Sequence, residues 1–379
     1  MMGDYQAKAL TPTVIFMRVS VPNIPQSLLS FNQKANKVTV SEAIERTSAF
    51  LAPGNVTLIT GAGVSVDSGI RAYRGQDGRY MNPNYKPIFY HELVDETEKG
   101  HSFRQRYWLR SYLGYPSVRE ALPNTTHYAL AALQYAGVIP RLITQNVDGL
   151  HHAALSLSHP SPVKIQESIL ELHGTLHRVR CKHGHITERN VFQDWLASAN
   201  PKWKDFADSI EKEGAPLRTN PDGDVAIEHL GISYDDFVVP ECPTCLQENR
   251  HNNVHKPDLV FFGESITEYV KKRSYLDIEN SDRVLLIGTT LATYSAFRLL
   301  KHAIELKKPV LMINVGPSRA DGVEGVQKLD IASGDIISDV VRNVLVQRGG
   351  IDSVVERMLS SGIRKPPPKE DDGDRALAS

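Results

Sequence analysis

The stretch VTLITGAGVSVDSGI, residues 56–70, decides the reading of this chain. Its first five residues are β-branched or aliphatic throughout, the pattern of a strand covered on both faces. The strand runs straight into Gly61, Ala62 and Gly63, then into Val64 and Ser65. Glycines at a strand end allow backbone N–H groups to approach a pyrophosphate at the start of a helix, where the dipole favours negative charge. A lone GxG also marks ordinary tight turns. Here Val66 replaces the third glycine of the dinucleotide fingerprint, and a polar segment, residues 71–80, stands where hydride-transfer enzymes carry a second strand and a ribose-binding acid. That exchange predicts a loop closing over a dinucleotide and argues against plain hydride transfer.

Residues 139–144, 169–172, 258–262, 283–287 and 310–313 also read as buried strands, with helical patterns such as 127–135 and 296–306 between them. An α/β fold with a parallel sheet follows. The six strands are continued by GAGVS, QNVDG, HG, FGE, GTT and NVG. Ligands of open α/β sheets bind outside the carboxyl ends of the strands, so these ends are expected to converge on one crevice. Residues 76–124, aromatic and charged, and 175–257, polar and holding every cysteine, break the alternation. Both read as insertions that build a smaller domain over the crevice.

The 379 residues carry 43 Lys+Arg against 44 Asp+Glu, a formal charge of −1. A chain of this length buries a core without staples. The balance argues against direct nucleic-acid binding by bulk electrostatics, which needs a basic surplus. No apolar run approaches the ~18 residues of a membrane span. Cys181, Cys242 and Cys245 are too few and odd in number for a disulfide framework, so a reducing compartment is expected. No acidic residue lies between Asp4 and Glu42, while Lys8, Arg18, Lys34 and Lys37 do. This matches a mitochondrial presequence, or else a solvated extension. Residues 364–379 read as a solvated, Pro-rich and charged tail.

Three constellations carry chemistry. Gln145, Asn146, Val147 and Asp148 follow a strand; their amide and carboxylate groups can hold ribose hydroxyls, a carboxamide and a water, or form an Asx turn that caps the next helix. His173 follows a strand and precedes Gly174 at the same sheet edge, where a histidine serves as general base for a sugar hydroxyl. Cys242 and Cys245 form a CxxC, and with Cys181 they offer three thiolates of a tetrahedral zinc site. A CxxC partner for Cys181 would fall at Gly184; His183 and His185 flank that position and either could be the fourth ligand, the expected set being Cys181, His183, Cys242 and Cys245.

In the order GAGVSVDSGI, YRG, TQNVDGLH, ELHG, CPTC, KPDLVFFGE, GTTL and INVG, the chain from about residue 41 to about 346 resembles the sirtuin family of NAD-dependent protein deacylases. The segments RQRYWLRSYLGYP, TLATYSAFR and NVGPSRADG are similar to its class II, mitochondrial sirtuin-4 branch. The resemblance implies a Rossmann-like sheet sandwiched by helices (41–75, 125–173, 258–346), a small domain that is helical over 76–124 and a zinc module over 174–257, an extension over 1–40, and a C-terminal helix and tail over 347–379. It implies NAD as co-substrate and structural zinc. The acyl group of an acyl-lysine protein would pass to ADP-ribose as nicotinamide leaves, with His173 as base and Asn146 and Asp148 positioning ribose, amide and water. Gly61, Ala62, Gly63, Ser65, Tyr73 and Arg74 would hold phosphates, Gln145 the ribose, and Gly288, Thr289, Thr290, Asn314, Val315, Gly316 and Ser333 the adenosine half. Val260, Phe261, Phe262, Gly263 and Glu264 would offer an open strand edge to the peptide. Where the family usually has Pro-Asp, this chain has Arg71-Ala72. Tyr107 and Arg110, one helical turn apart, either meet an acidic acyl chain or form a solvated helix face.

Overall fold

The computed structural model describes residues 24, 38–74, 87–213, 225 and 233–365. Of the expected presequence, residues 1–23 and 25–37 lie outside them, as do Gly75 of the YRG motif and residues 366–379 of the tail. Nine strands form two sheets among these residues: β1 (Val56–Thr60), β2 (Arg141–Thr144), β3 (Ile169–Glu171), β4 (Gly174–Cys181), β5 (Ile186–Glu188), β6 (His255–Leu259), β7 (Arg283–Ile287), β8 (Val310–Ile313) and β9 (Val326–Leu329). The larger sheet is parallel, in the order β3-β2-β1-β7-β8-β9, and the smaller is antiparallel, β5-β4-β6.

Register explains why the central strands are apolar throughout. Leu58 lies level with Leu142 and Leu285, and Leu285 with Leu311. This rung packs under the helices Val40–Leu51, Thr125–Tyr135 and Ile337–Gln347. One residue on, Ile59, Ile143, Leu286 and Met312 form a rung on the opposite face, under Glu268–Glu279 and Tyr294–Glu305. Alternate side chains thus feed two separate cores, so both faces of these strands demand apolar residues.

Two expectations about strands need correction. Residues 258–262 do not belong to the parallel sheet: the chain there continues β6, which pairs with β4 across Gly174 and Leu259. The sixth parallel strand is β9, whose VQKL sequence carries no buried-strand pattern because it lies at the sheet edge. Its Lys328 reaches Asp321 at 2.7 Å and the Gly316 carbonyl at 2.6 Å.

The strand order reverses direction between β1 and β7, which opens the crevice there. At that point two backbone segments come into direct contact. Gly61 N–H donates to the Ile287 carbonyl at 3.2 Å, and Gly63 N–H to the Gly288 carbonyl at 2.9 Å. A Cβ on Gly63 would lie 2.8 Å from the Gly288 Cα and carbonyl oxygen, and one on Gly61 would lie 2.8 Å from that oxygen. Both glycines therefore serve backbone packing, and the expected helix start is a single 3₁₀ turn, Ala62–Ser65.

The insertions build one second unit. The helices Glu98–Arg119 and Arg189–Ala199 share with β4 a core of Trp108, Leu109, Leu113, Val179, Phe192 and Phe237. Gly174 joins the two sheets at φ +78°, where a Cβ would lie 1.9 Å from the Asp258 carbonyl oxygen. The tail begins later than expected, since Arg364 pairs with Asp335 at 3.1 Å and Lys365 N–H donates to the Asp67 carbonyl at 2.7 Å. Among the described residues no helix is long and apolar enough to cross a membrane.

Replacing Gly63 by Ala forces backbone against backbone in a packed crossing, so unfolding free energy is expected to fall by about 1–3 kcal/mol. A urea midpoint equal to that of the parent chain would contradict this account of the glycine.

Candidate active site

A cleft of about 1560 Å³ lies over the carboxyl ends of the parallel strands. Pockets for one small ligand run to roughly 300–1,000 Å³, so this one has room for a dinucleotide and a substrate side chain together. Gly61, Ala62, Gly63, Tyr73, Arg74, Gln145, Asn146, Val147, Gly288, Thr289, Thr290, Asn314, Val315, Gly316 and Ser333 line it, as do His173 and the segment Val260, Phe261, Phe262, Gly263 and Glu264. Arg71 and Ala72 line it too. Ser65 and Asp148 are not in the wall but one layer behind it.

That layer is a hydrogen-bonded polar network. The Ser65 hydroxyl donates to Asp148 Oδ2 at 2.7 Å and accepts from Asn146 Nδ2 at 3.0 Å, with His127 Nε2 3.3 Å away. Asp148 Oδ1 accepts the Leu150 N–H at 3.0 Å, so the Asx-turn reading of this residue is also correct. Asn146 is fixed from the other end, its N–H donating to Thr144 Oγ1 at 3.0 Å. Gln145 spans the reversal point, its amide donating to the Thr60 carbonyl at 3.0 Å and to Thr289 Oγ1 at 2.8 Å. The network presents the Asn146 amide to the cleft in one orientation and holds a carboxylate behind it.

His173 sits in the turn between β3 and β4, half-buried in the cleft wall. Its Nδ1 lies 3.2 Å from the Gln145 carbonyl, which can only accept, so Nδ1 carries the proton and Nε2 keeps its lone pair. Burial lowers its pKa to about 4, the Gln145 carbonyl working against that shift and the Arg298 cation adding to it. A neutral imidazole with a fixed tautomer is the state a general base needs.

The peptide edge differs from expectation. Val260 N–H donates to the His173 carbonyl at 3.0 Å, Phe261 N–H to Glu264 Oε2 at 3.0 Å, and Glu264 N–H to the Phe261 carbonyl at 3.0 Å. Phe262 pairs with Phe89, its carbonyl accepting Tyr90 N–H at 2.9 Å. The segment is a turn with most of its edge engaged, because Gly263 at φ +82° reverses the chain. Tyr107 and Arg110 do not enter the cleft wall: Tyr107 packs edge-on against Phe261, and Arg110 Nε donates to the Val225 carbonyl at 2.7 Å. Ser295 and Arg298, which do line it, are not among the expected site residues, although both lie in the TLATYSAFR segment, 290–298, and stand one turn apart on the helix Tyr294–Glu305.

The metal reading needs one correction. Cys181, Cys242, Cys245 and His185 bring their ligand atoms within 4.8 Å of one another, and exposed His183 is not among them. Gly184 takes φ +90° and turns the chain back between β4 and β5, so 181 and 185 face each other while 183 sits at the tip. Cys181 and Cys245 Sγ atoms are 3.8 Å apart, and His185 Nδ1 lies 3.5, 3.7 and 3.3 Å from Cys181, Cys242 and Cys245. A tetrahedral zinc with bonds of ~2.3 Å to sulfur sets its ligands about 3.8 Å apart, so the four residues fit that ion. Glu248 faces His185 Nε2 at 3.4 Å and can fix the ring.

Three comparisons bear on this arrangement. The model of the Sir2 family matches residues 61–295. The NAD-dependent protein deacylase SIR4 of Batrachochytrium dendrobatidis is 38% identical over 81% of this chain and 96% of its own length. The NAD-dependent protein deacylase Sirt4 of Drosophila melanogaster is 35% identical over 80% of this chain and 88% of its own. Among solved structures, a complex of a Sir2 homologue mutant with ADP-ribose superposes with a TM-score of 0.57 at 23% identity, covering 81% of this chain and 99% of that one.

Two outcomes are expected. Elemental analysis should find about one zinc per chain, and His185→Ala should lose it on mild chelation while His183→Ala keeps it; equal retention by both would overturn the ligand assignment. Burial holds His127 to a pKa of about 4, whereas an unfolded histidine titrates near 6.5. The unfolded chain thus binds the extra proton first, and stability present above pH 6.5 is lost as pH falls through that window. Between pH 7.5 and 5 His127 alone should cost about 2 kcal/mol, a slope that His127→Gln should reduce in urea titrations.

Proposed function

The chain belongs to the Sir2 family, and from that premise we propose that it is an NAD-dependent protein lysine deacylase that moves the acyl group of acyl-lysine to ADP-ribose and releases nicotinamide. The observation that carries the reading is His173, neutral and held by the Gln145 carbonyl, in the same cleft as Asn146 and the strand-end loops. NAD bound there supplies an electrophilic ribose carbon. His173 Nε2 accepts the proton of a ribose hydroxyl, so that the hydroxyl oxygen can attack the activated acyl carbon. Asn146, braced through Ser65 by Asp148, orients the amide and the ribose. Phe261 and Phe262, with Val260 behind them, form the apolar entry for the lysine stem, and the peptide pairs with what remains of the edge at residues 262–263.

The loop of Arg71, Tyr73 and Arg74 supplies phosphate-facing groups. The Arg71-Ala72 departure puts a cation where the family usually has a proline and an alanine where it has the acid, which favours pyrophosphate binding over nicotinamide polarisation. Lipoyl, biotinyl or branched short-chain acyl groups are the proposed cargo and mitochondria the proposed compartment, the latter supported by the acid-free residues 5–41. Mono-ADP-ribosyl transfer is the second reading, because a protein nucleophile could capture the same sugar carbon.

Incubating the protein with adenine-labelled NAD and a panel of acyl-lysine peptides should yield free lysine peptide, nicotinamide and labelled O-acyl-ADP-ribose. His173→Ala should lower this by about 10²-fold or more. Label retained on protein would support ribosyl transfer; full activity of His173→Ala would sink the assignment of the base.

A further inference from the structure

His173 is the proposed base, and its second nitrogen already has a partner. The Ser295 hydroxyl lies 2.7 Å from His173 Nε2, an ordinary hydrogen-bond distance for a hydroxyl donor. Ser295 stands in the first turn of the helix Tyr294–Glu305, directly after the strand-end segment that follows β7. One turn further along that helix, Arg298 lines the same cleft, and its Nε and Nη2 are buried without a hydrogen-bond partner. The Tyr275 ring takes the guanidinium face at 5.4 Å. From the β2 side the uncharged Gln145 carbonyl meets the imidazole.

We propose that Ser295 is a positioning residue for His173, serving both protonation states of the base. The inference rests on His173 acting as the base. Before the reaction Nδ1–H donates to Gln145 and Nε2 accepts from the Ser295 hydroxyl, which fixes the ring plane and the tautomer. When a ribose hydroxyl arrives, Ser295 gives up the Nε2 lone pair. The ribose O–H bond breaks, its proton forms Nε2–H, and its electron pair stays on the sugar oxygen. The imidazolium then needs two acceptors. Gln145 remains one, and the Ser295 oxygen becomes the other by turning from donor to acceptor. A hydroxyl can make that exchange, whereas an amide N–H or a carboxylate cannot. Histidine bases are commonly oriented by a carboxylate on the second nitrogen, which would raise their basicity. Here the partner is neutral and the neighbouring charge is positive, so the base stays free of protons at mildly acid pH.

The test compares Ser295→Ala, Ser295→Cys, Ser295→Thr and His173→Ala in steady-state deacylation across pH. The Ser295 oxygen stabilises the charged imidazolium more than its hydroxyl stabilises the neutral ring, so the acid limb of kcat/KM should move to lower pH in Ser295→Ala and Ser295→Cys. Their kcat at neutral pH should fall about 3–10-fold, the worth of one such hydrogen bond, with KM for NAD within about twofold. Ser295→Thr, which keeps the hydroxyl, should restore both the rate and the limb. If the Ala variant folds poorly, the Cys and Thr pair decides. Unchanged rates in Ala and Cys, or a fall in rate with an unmoved acid limb that Thr does not rescue, would overturn the proposal. Full activity of His173→Ala would instead remove the reading on which it rests, whereas an inactive His173→Ala beside a fully active Ser295→Ala would overturn only this inference.

Discussion

The contact of Gly63 with Gly288 is the constraint on which the rest of the molecule depends. At a strand-order reversal the connections leave β1 and β7 in opposite directions, and the two strand ends would part if nothing joined them. Instead backbone meets backbone at a separation that excludes any Cβ. The hydrogen bond from Gly63 N–H to the Gly288 carbonyl closes the floor of the cleft, and Gln145 bridges the same point from Thr60 to Thr289. Everything offered to a ligand is measured from that floor. The loops after β1, β2, β7 and β8 rise from it, and the small unit hangs over it from Gly174.

Behind the floor, polar groups satisfy each other. Ser65 joins Asp148, Asn146 and His127 in one hydrogen-bonded cluster, in a region where an unpaired group would cost about 1–3 kcal/mol. His151 continues the layer, its Nε2 3.0 Å from Thr60 Oγ1 and its ring 4.8 Å from that of His127. The bond from Asn146 Nδ2 to Ser65, itself held by Asp148, gives the Asn146 amide a single orientation. Toward the cleft the same rule is relaxed. Arg298 keeps hydrogen-bonding capacity that the fold does not use, and the Ser295 hydroxyl on His173 Nε2 can turn away, so both are open to what a substrate brings. The metal hairpin obeys a third logic. Its four ligands close a turn far along β4 from His173, where an ion would secure the small unit without touching the sugar chemistry.

Much of this architecture is legible in the order of residues alone. The buried strands around residues 56–60, 283–287 and 310–313 announce themselves because both faces are covered and nearly every residue is apolar. The strand-end motifs read as one crevice, since parallel topology forces their ends to one edge. Asn146, His173 and the CxxC are legible for the same reason: side chains of reactive type stand directly after strands or at ligand spacing. The expectations that fail do so for physical causes. An edge strand such as VQKL needs no apolar run, so its composition hides it. The run 258–262 is apolar yet leaves the sheet, because apolar character reports burial and not partners. His183 and His185 differ only in their place on a turn that Gly184 defines.

The sequence by itself determined the parallel α/β class, the convergence of GAGVS, QNVDG, ELHG and GTT on one cleft, the family, and the presence of a three-cysteine site. These depend on local pattern and on order along the chain. Only the tertiary structure decided that His185 completes the metal set, that Ser65 and Asp148 brace Asn146 from behind the wall, and that Ser295 stands on the free nitrogen of His173. Each of those is a contact between residues from 4 to 122 positions apart, as with His173 and Ser295. Such pairs are set by how a turn closes or how a helix lands on a sheet, and neither spacing nor composition encodes that geometry.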